Sequence, residues 1–169
     1  VSCLILNSDA APVSLLPLSI VSWEEAIRYL VTDKGTVLEW YDDWVVRSAR
    51  WQTNVPAVMI LKEYQKKKTV IRFSKQNVFL RDEYKCQYCG VNVTHRTATL
   101  DHVLPQSHGG KSVWDNTVCS CSLCNSKKGN NKRIVPEKAP WKPTYWHLVD
   151  KRKKLGWELV HPSWKNYLT

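Results

Sequence analysis

Residues 86–131 read CQYCGVNVTHRTATLDHVLPQSHGGKSVWDNTVCSCSLCNSKKGNN and hold five of the chain's six cysteines. Two Cys-x-x-Cys pairs, Cys86/Cys89 and Cys121/Cys124, are separated by 31 residues. A Cys-x-x-Cys turn presents two thiolates to one side of a metal, and two such turns complete a tetrahedral zinc site. The separation exceeds the roughly 15–20 residues of the commonest zinc pattern and leaves room for a hairpin and a loop. With a protein thiolate at every position, such a zinc is structural. Disulfides and a thioredoxin-type redox pair are the alternatives. The second wants a single pair in a βαβ pattern, which the chain lacks. CSCSLC also permits Cys119 as a ligand, but Cys121 and Cys124 repeat the spacing of the first pair. Cys3 reads as a small buried hydrophobe.

Inside the clamp sits an isolated Asp101-His102. TATLDHV, 97–103, reads as a strand delivering the two side chains to opposite faces or to its end. Pro105 breaks it, and Gly109-Gly110 make a loop. Ser122–Lys128 has no breaker and stops at Gly129, so it reads as a short helix with Asn125 and Lys128 on one face. A metal tying that helix to the hairpin lets Asp101, His102 and Asn125 converge.

Working outward, 169 residues suffice for one good core with appendages. No apolar run reaches the ~18–20 residues of a membrane span. The first twenty residues lack a basic leader region and are interrupted by Asp9 and Pro12. They therefore read as no signal peptide, and a reducing, cytoplasmic setting is expected. The formal charge of +10 is uneven: −3 over 1–50, +5 over 61–85 and +8 over 125–154. Positive charge on both sides of the clamp suits a polyanion, because each phosphate neutralised releases condensed counterions.

SCLILN, 2–7, reads as a buried strand. Ser22 and Glu25 form a capping box for a helix of about 22–32, with Trp23, Ala26, Ile27, Leu30 and Val31 on its apolar face and Gly35 ending it. Residues 36–46 read as a strand or a hairpin around Asp42-Asp43. PAVMIL (56–61) and TVIRF (69–73) are further strands, parted by the basic EYQKKK. After Arg133, prolines alternate with Trp141, Trp146, Trp157 and Trp164, which suggests a tail docked on the core with Lys151–Lys154 left outward.

The run DHVLPQSHGG-x5-N-x4-C-x2-C-N-x2-K, 101–128, resembles the HNH endonucleases, and most closely their HNN variant. It is also similar to phage Holliday-junction-resolving endonucleases with a four-cysteine zinc site, and to the nuclease domain of RNA-guided DNA nucleases. The resemblance covers about 84–133. More loosely, SCLILN through NVFLRDEYKCQYC resembles the N-terminal arm of phage and bacterial HNH proteins. It implies an α+β protein with a ββα-metal core at 81–133, an N-terminal strand–helix arm at 1–80 and a basic extension at 134–169.

The resemblance also implies roles. His102 would be the general base, Asp101 and Asn125 the ligands of a catalytic Mg2+ or Mn2+, and Cys86, Cys89, Cys121 and Cys124 the structural zinc site. Asn116 would steady the loop, and Lys128 would lie near the scissile phosphate. Lys127, Lys132, Arg133, Lys151, Arg152, Lys153 and Lys154 would grip double-stranded DNA. His95, His108, His147 and His161 match no motif position, so an oxygen ligand pair favours Mg2+ or Mn2+ over softer ions. The chemistry is coherent: hydrolysis needs an activated water, which an imidazole suits, and a hard cation for the charge on phosphate. A free-standing homing endonuclease is the first expectation for its role, acting as a homodimer because two strands need two sites. A packaging-associated, restriction or junction-resolving nuclease, or a non-catalytic zinc-ribbon DNA-binding module, are the others.

Overall fold

The apolar run after Val1 forms β1 (Ser2–Leu6), and its lack of alternation has a plain cause: both faces are covered. Cys3 and Ile5 pack with Ala26 and Met59, while Leu4 and Leu6 pack with Val58, Trp164 and Leu168. Each such side chain, fully buried, contributes about 1.5–3 kcal/mol. Cys3 is thus the small core hydrophobe expected.

These positions come from a computed structural model, which describes residues 1–67, 69–157 and 159–168. The chain divides into two compact units, Val1–Thr69 with Trp157–Thr169, and Val70–Gly156. The segment after Arg133 is therefore shared between them.

In the first unit, β1 lies between β2 (Ile20–Ser22), antiparallel to it, and β4 (Gln52–Leu61), parallel to it; β3 (Gly35–Arg47) closes the far edge against β4. Helix α1 (Trp23–Val31) covers one face through Ala26, Tyr29 and Leu30. Ser22 caps it, accepting the Glu25 N–H at 3.4 Å, while the Glu25 carboxylate pairs with Arg28 at 3.1 Å. Of the expected apolar face, Val31 is 68% exposed.

Two expectations need correction here, and one pair of alternatives is resolved. Gly35 does not end the helix but opens β3, where a Cβ would stand 3.0 Å from the Ile60 carbonyl. Of the two readings of 36–46, the strand holds and the hairpin does not: β3 runs through Asp42-Asp43 with shifted register, and the chain reverses at 48–51, where the Ser48 N–H donates to the Trp51 carbonyl at 2.7 Å. TVIRF forms no strand, since β-branched composition needs a partner ladder to become one. Instead Phe73 packs edge-on against Trp114. Lys68 of the basic EYQKKK lies outside the described residues.

Docking of the late tryptophans holds for two of them. Trp164 is fully buried and donates its indole N–H to the Ala57 carbonyl at 2.8 Å, and Trp157 packs beside it. Trp146 is 59% exposed and Trp141 41%.

The second unit contains α2 (Lys75–Arg81), the antiparallel pair β5 (Ala98–His102) and β6 (Thr117–Cys121), then α3 (Ser122–Lys128) and α4 (Tyr145–Leu155). Phe79, Ala98 and Cys119 form its small core. Arg81, buried at the end of α2, directs all five N–H groups inward: to the Asp82 carboxylate at 2.8 and 3.0 Å, and to the carbonyls of Trp114, Thr117 and Trp141 at 2.7–2.9 Å. Asp82 in turn accepts the Cys119 N–H at 2.7 Å. One guanidinium therefore ties α2 to β6 and to the segment leading to α4. This unit holds sixteen bases and six acids, the whole of the +10, whereas the first balances nine against nine. Among the described residues no helix is long and apolar enough to cross a membrane.

Candidate functional site

The first Cys-x-x-Cys turn closes by the Cys86 N–H donating to the Val91 carbonyl at 2.9 Å and the Gly90 N–H to the Cys86 carbonyl at 2.8 Å. Gly90 takes a left-handed φ of 73° there. The second turn is the start of α3, where the Cys121 sulfur caps the helix by accepting the Cys124 N–H at 3.4 Å. The sulfurs of Cys86, Cys89, Cys121 and Cys124 all lie within 4.8 Å of one another, with Cys89 and Cys121 at 3.9 Å. A tetrahedral zinc with Zn–S of ~2.3 Å requires sulfurs about 3.8 Å apart, so the donor set fits zinc. The cluster is compatible with zinc and includes Cys121, not Cys119.

Cys119 lies mid-strand opposite Leu100, and burial, then the Asp82 carboxylate, push its thiol up to about 12. Within the cluster, burial pushes Cys124 up to about 12, helped by the proton it shares with the other three sulfurs. At Cys86 burial acts the same way but is outweighed by backbone N–H groups, which bring the thiol down to about 7.

Strand alternation on β5 turns Thr99 and Asp101 toward α3. Asp101 is only 5% exposed. Its carboxylate accepts the Tyr88 hydroxyl and faces the Lys128 ammonium at 3.3 Å (Oδ1) and 3.2 Å (Oδ2). Lys128 also donates to the His102 carbonyl at 2.7 Å. Expected near a phosphate, Lys128 is instead 2% exposed and spent on Asp101 and His102. The Asn125 amide nitrogen donates to the Thr99 hydroxyl at 3.2 Å. Thr99 is itself held by Ser120.

His102, the next residue, is half-buried, with Nε2 2.8 Å from the Ser112 hydroxyl and 3.4 Å from the Gln106 amide. Asn116 closes the loop between: it accepts the Leu104 N–H at 2.8 Å and donates to the carbonyls of Leu104 and Lys111 at 3.1 and 2.9 Å. Gly110 is required there, since a Cβ would meet the Leu104 carbonyl oxygen at 1.8 Å.

The structure thus brings Asp101, His102, Asn116, Asn125 and Lys128 around one hairpin and helix. Of the basic residues, Lys127, Lys132, Arg133, Lys153 and Lys154 are exposed, Arg152 is half-buried, and Lys151 pairs with Glu83, whose carboxyl that pairing holds below its usual range. His147 caps α4, His161 caps the turn at Pro162–Tyr167, His95 meets Gln76 at 3.5 Å and His108 meets Ser107 at 3.2 Å. Sequence reasoning missed Tyr88, Thr99, Ser112 and Gln106, whose roles arise only from the fold. It also missed Lys85 and Lys138, which line a cleft with Trp141 and Lys151. For Tyr88, burial and then the Asp101 carboxylate hold the phenol well above its ordinary range, so it stays a donor.

Residues 86–134 match the family model described as HNH endonuclease. Residues 3–69 match that of the HNH endonuclease-associated, N-terminal domain. Over 51 residues the chain is 35% identical to the CRISPR-associated endonuclease Cas9 of Corynebacterium diphtheriae and 37% identical to that of Actinomyces naeslundii. Each match covers 30% of this chain and 5% of the relative, so the chain spans a small part of these curated relatives.

Proposed function

We propose that the chain is a divalent-cation-dependent DNA endonuclease of the HNN type, hydrolysing phosphodiester bonds. The observation that carries this reading is that β5 meets α3 through Thr99–Asn125 and Asp101–Lys128, with His102 next in the strand, within residues that match the HNH endonuclease model and hold a four-cysteine cluster. The donors are hard oxygens, suited to Mg2+ or Mn2+. Bound there, the ion supplies positive charge for the phosphate and the leaving 3′-oxygen.

The remaining work falls to the chain's own side chains. Ser112 engages Nε2 of His102, which leaves Nδ1 to accept the proton of the attacking water. Asn116 fixes the loop that carries Ser112 and so holds the imidazole in place. Lys128 steadies Asp101 and the His102 backbone from below. The +10 of this unit supports double-stranded DNA as substrate, gripped by Lys127, Lys132, Arg133, Arg152, Lys153 and Lys154. A homing role, with a homodimer cutting both strands, is the biological setting we favour.

The test is incubation of zinc-replete protein with supercoiled plasmid and Mg2+ or Mn2+, followed by run-off sequencing of the ends. Nicked or linear DNA with the cation and none with EDTA is expected. An intact plasmid with both cations would overturn the reading, and ends scattered over the plasmid would remove the homing role alone.

A further inference from the structure

Tyr88 lies inside the first Cys-x-x-Cys turn, between two sulfurs of the cluster, yet its hydroxyl reaches Oδ2 of Asp101. From the other side comes Lys128, one helical turn after Cys124 on α3. Both groups that hold Asp101 are thus carried by elements the cluster clamps. A carboxylate offers about four lone-pair positions. Tyr88 occupies one and Lys128 faces two, which leaves one for a cation. The terminal torsion of an aspartate is soft, so without the phenol the free lone pair is no longer aimed.

We propose that Tyr88 is a positioning residue that couples the four-cysteine cluster to the cation-binding carboxylate, fixing the rotation of Asp101 so that a divalent ion can be shared with Asn125. This rests on the reading of Asp101 as a cation ligand. Groups that hydrogen-bond a ligating carboxylate typically contribute 10–100-fold in metal affinity.

The experiment uses the zinc-replete 169-residue chain without DNA and follows Mn2+ binding by electron paramagnetic resonance, with zinc content measured in parallel. Tyr88→Phe is expected to keep its zinc and weaken Mn2+ binding by about 10–100-fold, while Asp101→Ala abolishes it. Unchanged or tighter Mn2+ binding in Tyr88→Phe, with Asp101→Ala defective, overturns the coupling and spares the ligand assignment. Unchanged binding in Asp101→Ala overturns the assignment and the coupling with it. Should Tyr88→Phe lose zinc, wild-type protein decides by NMR: the Tyr88 hydroxyl proton shifts on Mg2+ addition if the coupling exists, and stays in place if it does not.

Discussion

Lys128 shows how burial changes the meaning of a residue. A surface lysine beside a phosphate can be removed at little cost to the fold. Lys128 instead neutralises a buried carboxylate at 3.2 Å. Removing one partner of such a pair leaves an uncompensated charge, costing about 3–5 kcal/mol. Lys128→Met is therefore expected to lower the urea midpoint strongly, and an unchanged midpoint would return Lys128 to the surface role. Asn125 makes the complementary case. Asn125→Ala should raise the Mg2+ concentration needed for half-maximal cleavage, whereas Asn125→Asp should retain more metal affinity because an oxygen remains. Equal shifts in the two variants would argue that Asn125 acts through Thr99 instead.

The hairpin and helix that carry the four-cysteine cluster were legible in the sequence because short-range chemistry fixes them. Cysteine spacing sets the turns, Gly129 stops α3 at the expected residue, and alternation turns Asp101 and His102 apart. The first unit was less legible because its partners are distant in sequence. Residues 36–46 alone do not choose between strand and hairpin, since pairing with β4 is what carries β3 through two aspartates, and TVIRF has the composition of a strand without a ladder to join. Arg81 and Tyr88 were unreadable for a related reason: apart from Asp82, their partners lie 13–60 residues away and share no period. At this scale the clamp makes its own prediction. Replacing Cys86, Cys89, Cys121 or Cys124 by Ser should unfold or strongly destabilise the second unit, because metal binding energy is folding energy. Zinc uptake should also weaken as the pH falls, because protons compete with the metal for the thiolates. Full stability after chelation under reducing conditions would contradict the first prediction, and pH-independent zinc uptake the second.

For the whole molecule, the charge division is the informative quantity. The second unit carries the entire formal +10 and the first is balanced, so phosphate binding is expected from the unit that bears the HNH endonuclease domain. Neutralising Arg152, Lys153 and Lys154 together should weaken DNA binding and flatten its logarithmic salt dependence by up to ~0.9 for each phosphate left without its cation. An unchanged slope would make this run a solvated surface. Binding alone, however, does not separate an enzyme from a binding module. The measurement that does is the Mg2+ dependence of plasmid cleavage by His102→Ala. A positioned base is worth roughly 10²–10⁴-fold, so the variant should keep its zinc and its DNA affinity and lose turnover by that factor at every Mg2+ concentration. Cleavage at a near-normal rate, or full recovery with added Mg2+, would contradict the assignment of His102 as the base.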